Sequence, residues 1–287
     1  MKTNLLLLDS YKDMEGLISF AFSFSNHFKR NLKIIYVFDF NWMSQSYYIG
    51  SSVPPDPGLI AAEKNARKEF DVAESEIRRI AGEYVKNNSL NISFEINVSE
   101  TNRVDLIKEN LKKDPELILL LSNYQSYSEA SGGLIGYPKI VEKVECPVFV
   151  IPKDLTDYQF REVLYTTDYN PEDITSLKHL SNFLKRSEKS HITVLHNEKD
   201  YNFNEKLKWT GFKELVQQEV ENKNIDFSLN TKKEFLEGVE EYMKEHNPDL
   251  LVLLKEKKGF FEEIFTTNEI KNVLTHFNKP VLLYHEK

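Results

Sequence analysis

Two aspartates stand directly after apolar runs that have the length of a buried β-strand. Asp9 follows the run at 5–8, and Asp168 follows the run that ends at Thr167. A carboxylate at the carboxyl end of a parallel strand is able to bind a ligand, because ligands of parallel sheets bind outside those strand ends. Aspartate also caps turns well, so a purely structural role is the alternative interpretation.

The other reactive residue types do not form a set that predicts catalysis. Ser10 and Ser122 have no histidine and aspartate at a spacing typical of an activated nucleophile. His191 and His196 are five residues apart near one strand and should face opposite sides, and the seven histidines give no metal-binding pattern. Cys146 precedes an apolar run, and we expect it in the core. We therefore expect neither an enzyme nor a metal site.

A duplicated pattern defines the organisation of the chain. The segment DPELILLL at 114–121 has a counterpart, NPDLLVLL, at 247–254, and CPVFV at 146–150 has one in KPVLL at 279–283. The offset is the same for both pairs, since 248 − 115 and 280 − 147 both equal 133. A repeat of this length is a whole domain rather than a unit of a solenoid. We expect domains at residues 1–153 and 159–287, joined by a short linker.

Strand and helix patterns alternate within each copy. Continuous apolar runs, typical of strands buried on both faces, alternate with stretches in which apolar residues recur every three or four positions. This alternation predicts an α/β fold with helices on both faces of a parallel sheet. The predicted strands are 5–8, 32–38, 91–98, 117–121 and 148–151 in the first domain and 163–167, 192–195, 226–230, 250–254 and 281–284 in the second.

Two helix starts are also predicted in the second domain. Asn170 precedes Pro171 and two acidic residues, which predicts an asparagine cap with proline at the first helical position. The run from Thr231 to Glu234 has the form of a capping box.

Composition excludes several classes of protein. The chain has 287 residues and a net charge of −8, without a basic cluster, so we expect no nucleic-acid partner. The longest apolar runs are far shorter than the roughly 20 residues of a membrane span, so we expect no membrane partner. A single cysteine excludes an intrachain disulfide framework. Together with the absence of a signal-like N-terminus, this predicts a cytoplasmic protein.

In their order and spacing, these features resemble the universal stress proteins in their tandem, two-domain form. The resemblance rests on the strand–aspartate pairs at Asp9 and Asp168, the two Pro-Glu/Asp strands and the two Pro-Val last strands, and it covers nearly the whole chain. It implies a five-stranded, Rossmann-like parallel sheet in each domain, of the adenine-nucleotide alpha-hydrolase type. It also implies that the domains pair through their last strands, 148–151 and 281–284, and leaves a homodimer open.

One branch of that family binds ATP through three glycines after the fourth strand, where the bare backbone approaches phosphate oxygens. All six corresponding glycines are absent in this chain. Their positions hold Leu121, Tyr124 and Leu134 in the first domain and Leu254, Lys257 and Thr267 in the second.

A shift of two positions would still give the first domain a loop of small polar residues at 123, 126 and 136. The residues that the resemblance then implies for a nucleotide or other small ligand are Asp9, Ser10, Val37, Ser122, Asn123, Ser126, Gly136 and Asp168.

The loop 39–57 carries Trp42, Tyr47 and Tyr48 and has no counterpart in the second domain. Aromatic side chains on a proline-rich loop suit a lid over a small ligand, and packing against the other domain or a second chain is the alternative. The sequence thus predicts a non-catalytic stress-response protein without a cofactor, which senses a small ligand or binds protein partners of unknown identity. The alternative is an ATP-binding protein, or weak ATPase, that uses the loop after the fourth strand of the first domain.

Overall fold

The computed structural model describes residues 2–38, 57–122, 125, 137–153, 155, 159–187, 190–221, 224–231, 235–255 and 279–286. The chain divides into two compact units, Met1–Thr156 and Asp157–Lys287. Asn123, Ser126 and Gly136 lie outside the described residues, as does the aromatic loop up to residue 56. The predicted capping box is described only at Thr231, so it stays a prediction.

Unit 1 is a parallel sheet with helices between its strands. The sheet order is β3-β2-β1-β4-β5, and every described pairing is parallel. The order reverses between β1 and β4, so residues that follow these two strands meet at one edge. The elements are β1 (Thr3–Leu8), α1 (Met14–His27), β2 (Asn31–Phe38), α2 (Pro57–Asn87), β3 (Phe94–Glu100), α3 (Arg103–Lys113), β4 (Ile118–Ser122), α4 (Tyr137–Lys143) and β5 (Val148–Ile151).

Unit 2 repeats this arrangement. Its sheet order is β10-β9-β6-β7-β8, again with parallel pairings, and the order reverses between β6 and β9. The predicted class, two tandem α/β domains with five-stranded parallel sheets, is confirmed by these strands. The elements are β6 (Glu162–Thr166), α5 (Glu172–Leu184), β7 (His191–Asn197), α6 (Phe203–Glu219), β8 (Ile225–Asn230), α7 (Phe235–His246), β9 (Leu250–Lys255) and β10 (Val281–His285).

The central strands are apolar because both of their faces are covered. Residues 5–8 of β1 are fully buried, and α1 packs aromatic side chains over the sheet. Phe24 lies 4.9 Å from Phe149 of β5, measured between ring centroids, and Phe20 lies 6.2 Å from the same ring. Burial of such side chains stabilises the fold by about 1.5–3 kcal/mol each.

The start of α5 shows how the turn that carries Asp168 is fixed. Asn170 Oδ1 accepts a hydrogen bond from the N–H of Glu172 at 2.9 Å, but the cap position of the helix is held by Pro171, so the predicted asparagine cap is wrong by one residue. The helix itself begins at Glu172, one residue later than expected, with Pro171 at the flanking position.

Within the described residues, no helix has both the length and the apolar character that crossing a membrane requires.

Candidate functional site

The predicted carboxylate of unit 1 is held in a buried ion pair. Asp9 follows β1, and its side chain is 2% exposed. Arg103, the first residue of α3, places a guanidinium nitrogen 2.8 Å from Asp9 Oδ2. Asn102 caps α3 and so fixes the position of Arg103, because Asn102 Oδ1 accepts from the N–H groups of Val104 and Asp105.

The backbone N–H groups at the same edge are bound by a side chain of the chain itself. Gln125 is 5% exposed. Its Oε1 accepts from the N–H of Asp9 at 2.9 Å and of Ser10 at 3.0 Å, and its Nε2 donates to the carbonyl oxygen of Lys12 at 2.6 Å. The N–H of Lys12 donates to Ser10 Oγ at 3.3 Å. Gln125 therefore takes the hydrogen bonds that an anion at this strand end would need.

Glu69 of α2 provides further hydrogen bonds to the turn after β1. Its Oε2 accepts from the N–H of Tyr11 at 3.1 Å and from the hydroxyl of Tyr36 at 3.2 Å. Burial, reinforced by the charges of Glu69 and Asp9, raises the pKa of Tyr36 well above its usual value, so the phenol remains a donor. Side chains from three distant segments thus satisfy the turn after β1. We call this group, Asp9, Ser10, Glu69, Arg103 and Gln125, the closed edge.

Two other predicted ligand residues are buried within strands. Val37 in β2 and Ser122 in β4 are each 1% exposed. Leu121 and Leu254, which stand where the family motif has its first glycine, are 0% and 4% exposed. A buried leucine side chain at that position occupies space that the glycine leaves free for a close backbone approach.

The corresponding edge of unit 2 is more open. Asp168 follows β6 and is exposed. Desolvation by its neighbours raises the pKa of Asp168 above its ordinary value, His196 acts in the opposite direction, and Glu198 and Glu205 raise it further. Tyr169, the next residue, has a left-handed backbone with φ of 60°, which is strained for a bulky residue. Asp9 and Asp168 thus stand at equivalent strand ends in different surroundings.

A buried carboxylate supports the turn that carries Asp168. Asp173 is 1% exposed, and its two oxygens accept from the hydroxyls of Tyr165 and Thr167, each at 2.6 Å. The N–H of Tyr169 donates to Thr167 Oγ1 at 3.1 Å, so the network reaches the strained residue. The sequence placed Asp173 in the first helical turn but gave no signal for its hydroxyl partners, which lie in β6 and directly after it.

His196 is a buried side chain at this edge for which the sequence analysis expected no ligand role. It lies near the end of β7 and is 1% exposed. Its Nδ1 is 2.8 Å from the carbonyl oxygen of Thr167. The ring packs against Tyr169 and Trp209, with centroid distances of 3.9 Å and 5.9 Å.

Two glutamates meet this histidine. One ligand-type atom from each of His196, Glu198 and Glu205 lies within 4.8 Å of the other two. The spacing His-x-Glu was the available signal, because residues two apart on a strand share a face. The spacing of the histidines alone does not reveal this cluster, and the position of Glu205 depends on how α6 packs.

Unit 1 also contains a cavity of 340 Å³ between α1 and the segment after β5. Its lining mixes hydroxyl groups with apolar side chains, including those of Ser19, Ser23, Phe20 and Ile151. The volume lies within the usual range for small-molecule pockets. Its lining includes Asp13, the residue after Lys12, whose carbonyl oxygen accepts from Gln125 of the closed edge.

Comparisons with known proteins find relatives by structure alone. No family model matches the chain, and no curated protein matches it. A universal stress protein from Archaeoglobus fulgidus DSM 4304 is similar over 99% of this chain and 96% of its own, with a TM-score of 0.64 and 11% identity. A putative universal stress protein from Pseudomonas aeruginosa UCBPP-PA14 matches 99% of this chain and 92% of its own, with a TM-score of 0.56 and 9% identity. A functionally unknown protein from Pseudomonas aeruginosa PAO1 has the same coverage, a TM-score of 0.55 and 10% identity.

These likenesses span both units, and at such low identity they establish the architecture. The resemblance drawn from the strand–aspartate pairs and the duplicated strands is confirmed at this level. The chain therefore has the fold of the universal stress proteins, repeated in tandem.

Proposed function

We propose that this chain is a non-catalytic stress-response protein that senses a small ligand or binds a protein partner, and that its unit 1 does not use a nucleotide cofactor. The stress-response part of the proposal is supported by the fold shared with universal stress proteins. The non-nucleotide part is supported by the closed edge, where Gln125 holds the N–H groups of Asp9 and Ser10.

The closed edge opposes phosphate binding for two physical reasons. A phosphate would have to displace Gln125 and compensate for three hydrogen bonds, each contributing about 0.5–1.5 kcal/mol net. It would also approach the carboxylates of Asp9 and Glu69, of which Arg103 neutralises one. Like charges in a partly buried site repel strongly.

Two observations support a small ligand of another kind. Asp168 presents an exposed carboxylate at the equivalent strand end of unit 2. The cavity beside α1 has a volume of 340 Å³, which suits a small molecule with apolar and hydroxyl groups.

A second candidate is a nucleotide-binding protein or weak ATPase that uses the loop after β4 together with Asp9. This function requires Gln125 to leave the edge, which would free the N–H groups of Asp9 and Ser10. Faster amide hydrogen exchange at these two residues in the presence of ATP would favour it.

Phosphate release from ATP and Mg²⁺ tests the proposal against this candidate. We expect release indistinguishable from that in buffer alone, and an absorbance spectrum of the purified protein without a nucleotide contribution. Turnover that is lost in Asp9→Asn and retained in Asp168→Asn would contradict the proposal and assign the reaction to unit 1.

The assembly of the protein is part of the same proposal. We infer from the family resemblance that the protein is a monomer or a homodimer in solution. Light scattering during size-exclusion chromatography distinguishes 33.6 kDa from twice that mass.

A further inference from the structure

The cluster of His196, Glu198 and Glu205 has a feature that an ordinary group of surface charges lacks. His196 is 1% exposed, and its Nε2 is buried without a hydrogen-bond partner among the described residues. A buried polar atom of this kind normally has a partner. We propose that these three residues bind one first-row transition-metal dication at the edge of unit 2, a site that goes beyond the proposed function.

The hydrogen bond on the other side of the ring sets the tautomer. A carbonyl oxygen only accepts, so the contact of 2.8 Å with Thr167 means that Nδ1 of His196 carries the proton. In the neutral ring, Nε2 then holds the lone pair that a metal needs. Histidines that bind metals typically donate their other N–H to a backbone carbonyl or carboxylate in this way. Tyr169 and Trp209 pack against the ring and hold its orientation.

The two glutamates are also positioned by backbone contacts. Glu198 Oε1 accepts from the N–H of Asp200 at 3.0 Å. Glu205 lies in the first turn of α6, where its N–H donates to the capping side chain of Asn202 at 3.2 Å. Both residues are half-buried, and each offers an oxygen within 4.8 Å of the other ligand atoms.

Binding requires a small contraction of this cluster. Metal–ligand bonds of about 2.0–2.1 Å in a tetrahedral site place the ligand atoms roughly 3.3 Å apart. Rotation of the two glutamate side chains supplies this change without moving the buried histidine. Lys208, whose side chain is 59% exposed, pairs with Glu205 at 2.7 Å, and the metal would displace this flexible cation.

The local charge and the donor types select the ion. Asp168 interacts electrostatically with Glu198, Glu205 and Lys208 at this edge, where the three carboxylates outnumber the one lysine. The excess negative charge favours a dication. One imidazole nitrogen with two carboxylate oxygens suits Zn²⁺, whereas Mg²⁺ requires oxygen ligands and retains its water. A bound ion would join the end of β7 to the start of α6.

Calorimetric titration of metal-free protein with ZnCl₂ tests the site directly. We expect one equivalent of Zn²⁺ to bind, with a rise in Tm of about 5 °C or more at a free concentration of 100 times Kd. Mg²⁺ at the same concentration should give no comparable rise. Co²⁺ should give the visible absorption of a tetrahedral complex with nitrogen and oxygen ligands.

Variants locate the binding. Glu198→Gln and Glu205→Gln each remove a charged ligand and should weaken Zn²⁺ binding at least about tenfold. His196→Gln should abolish it, and the two glutamate variants keep the test valid if this buried substitution prevents folding. His191→Gln is the matched control. His191 also contacts two carboxylates, at 3.0 and 3.2 Å, but each carboxylate contacts a different nitrogen of its ring. The proposal is overturned by the absence of 1:1 binding, by binding that survives both glutamate variants, or by binding that is lost in the control.

Discussion

Replacing Gln125 with alanine removes the side chain that closes the edge of unit 1. The substitution deletes three hydrogen bonds, from the N–H groups of Asp9 and Ser10 and to the carbonyl oxygen of Lys12. At about 0.5–1.5 kcal/mol each, their sum is roughly 1.5–4.5 kcal/mol. Water can reach a sheet edge and satisfy part of the exposed backbone, so we expect the free energy of unfolding to fall by about 2–3 kcal/mol.

Urea unfolding followed by circular dichroism measures this change. Gln218→Ala is the matched control, because Gln218 is exposed on α6, and its effect should stay within about 0.5 kcal/mol. Amide hydrogen exchange adds a local measurement: the amides of Asp9 and Ser10 should exchange faster in Gln125→Ala. A variant as stable as the wild type, with unchanged exchange at these two amides, would refute the closed edge.

Other perturbations have equally definite expectations. Arg103→Ala removes the cation that pairs with the buried carboxylate of Asp9 and should lower the free energy of unfolding by about 3–5 kcal/mol in urea titrations. The control is Arg78→Ala, which breaks an exposed ion pair and should change the free energy of unfolding by under about 1 kcal/mol. Burial raises the pKa of the Cys146 thiol to about 12 from its ordinary 9.0, so the native thiol should resist a thiol reagent at pH 8 until the protein unfolds. The unfolded chain releases this proton first, so Cys146 should make stability fall as pH rises from 9 towards 12, as equilibrium unfolding at each pH would show. Asn202→Ala removes the cap of α6 and should lower the unfolding free energy by about 1 kcal/mol in the same urea assay.

Much of the fold was readable from the sequence because parallel strands buried on both faces appear as continuous apolar runs. The run at 148–151 coincides with β5, and the run at 5–8 lies within β1. The prediction for β3 was wrong at its start, which was placed at Asn91 and lies at Phe94. The N–H groups of Asn91 and Ser93 bond to the side chains of Asn26 and Asn31, so this stretch is a connection and not part of the ladder.

The candidate sites were less readable because their contacts join residues far apart in the chain. Strand ends correctly placed Asp9 and Asp168 at sheet edges. Periodicity carries no information about Gln125, which reaches Asp9 across 116 positions. The pairing of Asp9 with Arg103 likewise depends on where α3 begins after β3. Such contacts follow from packing between elements, which a local pattern does not specify.

Isothermal titration of the purified full-length protein with ATP and Mg²⁺ tests the central claim most directly. The claim is that the chain keeps the tandem scaffold while its own side chains form the closed edge of unit 1 and leave no place there for a phosphate. The account predicts no saturable heat up to millimolar ATP. Saturable binding that Asp9→Asn weakens would contradict the account, because it would mean that a phosphate displaces Gln125 from the closed edge.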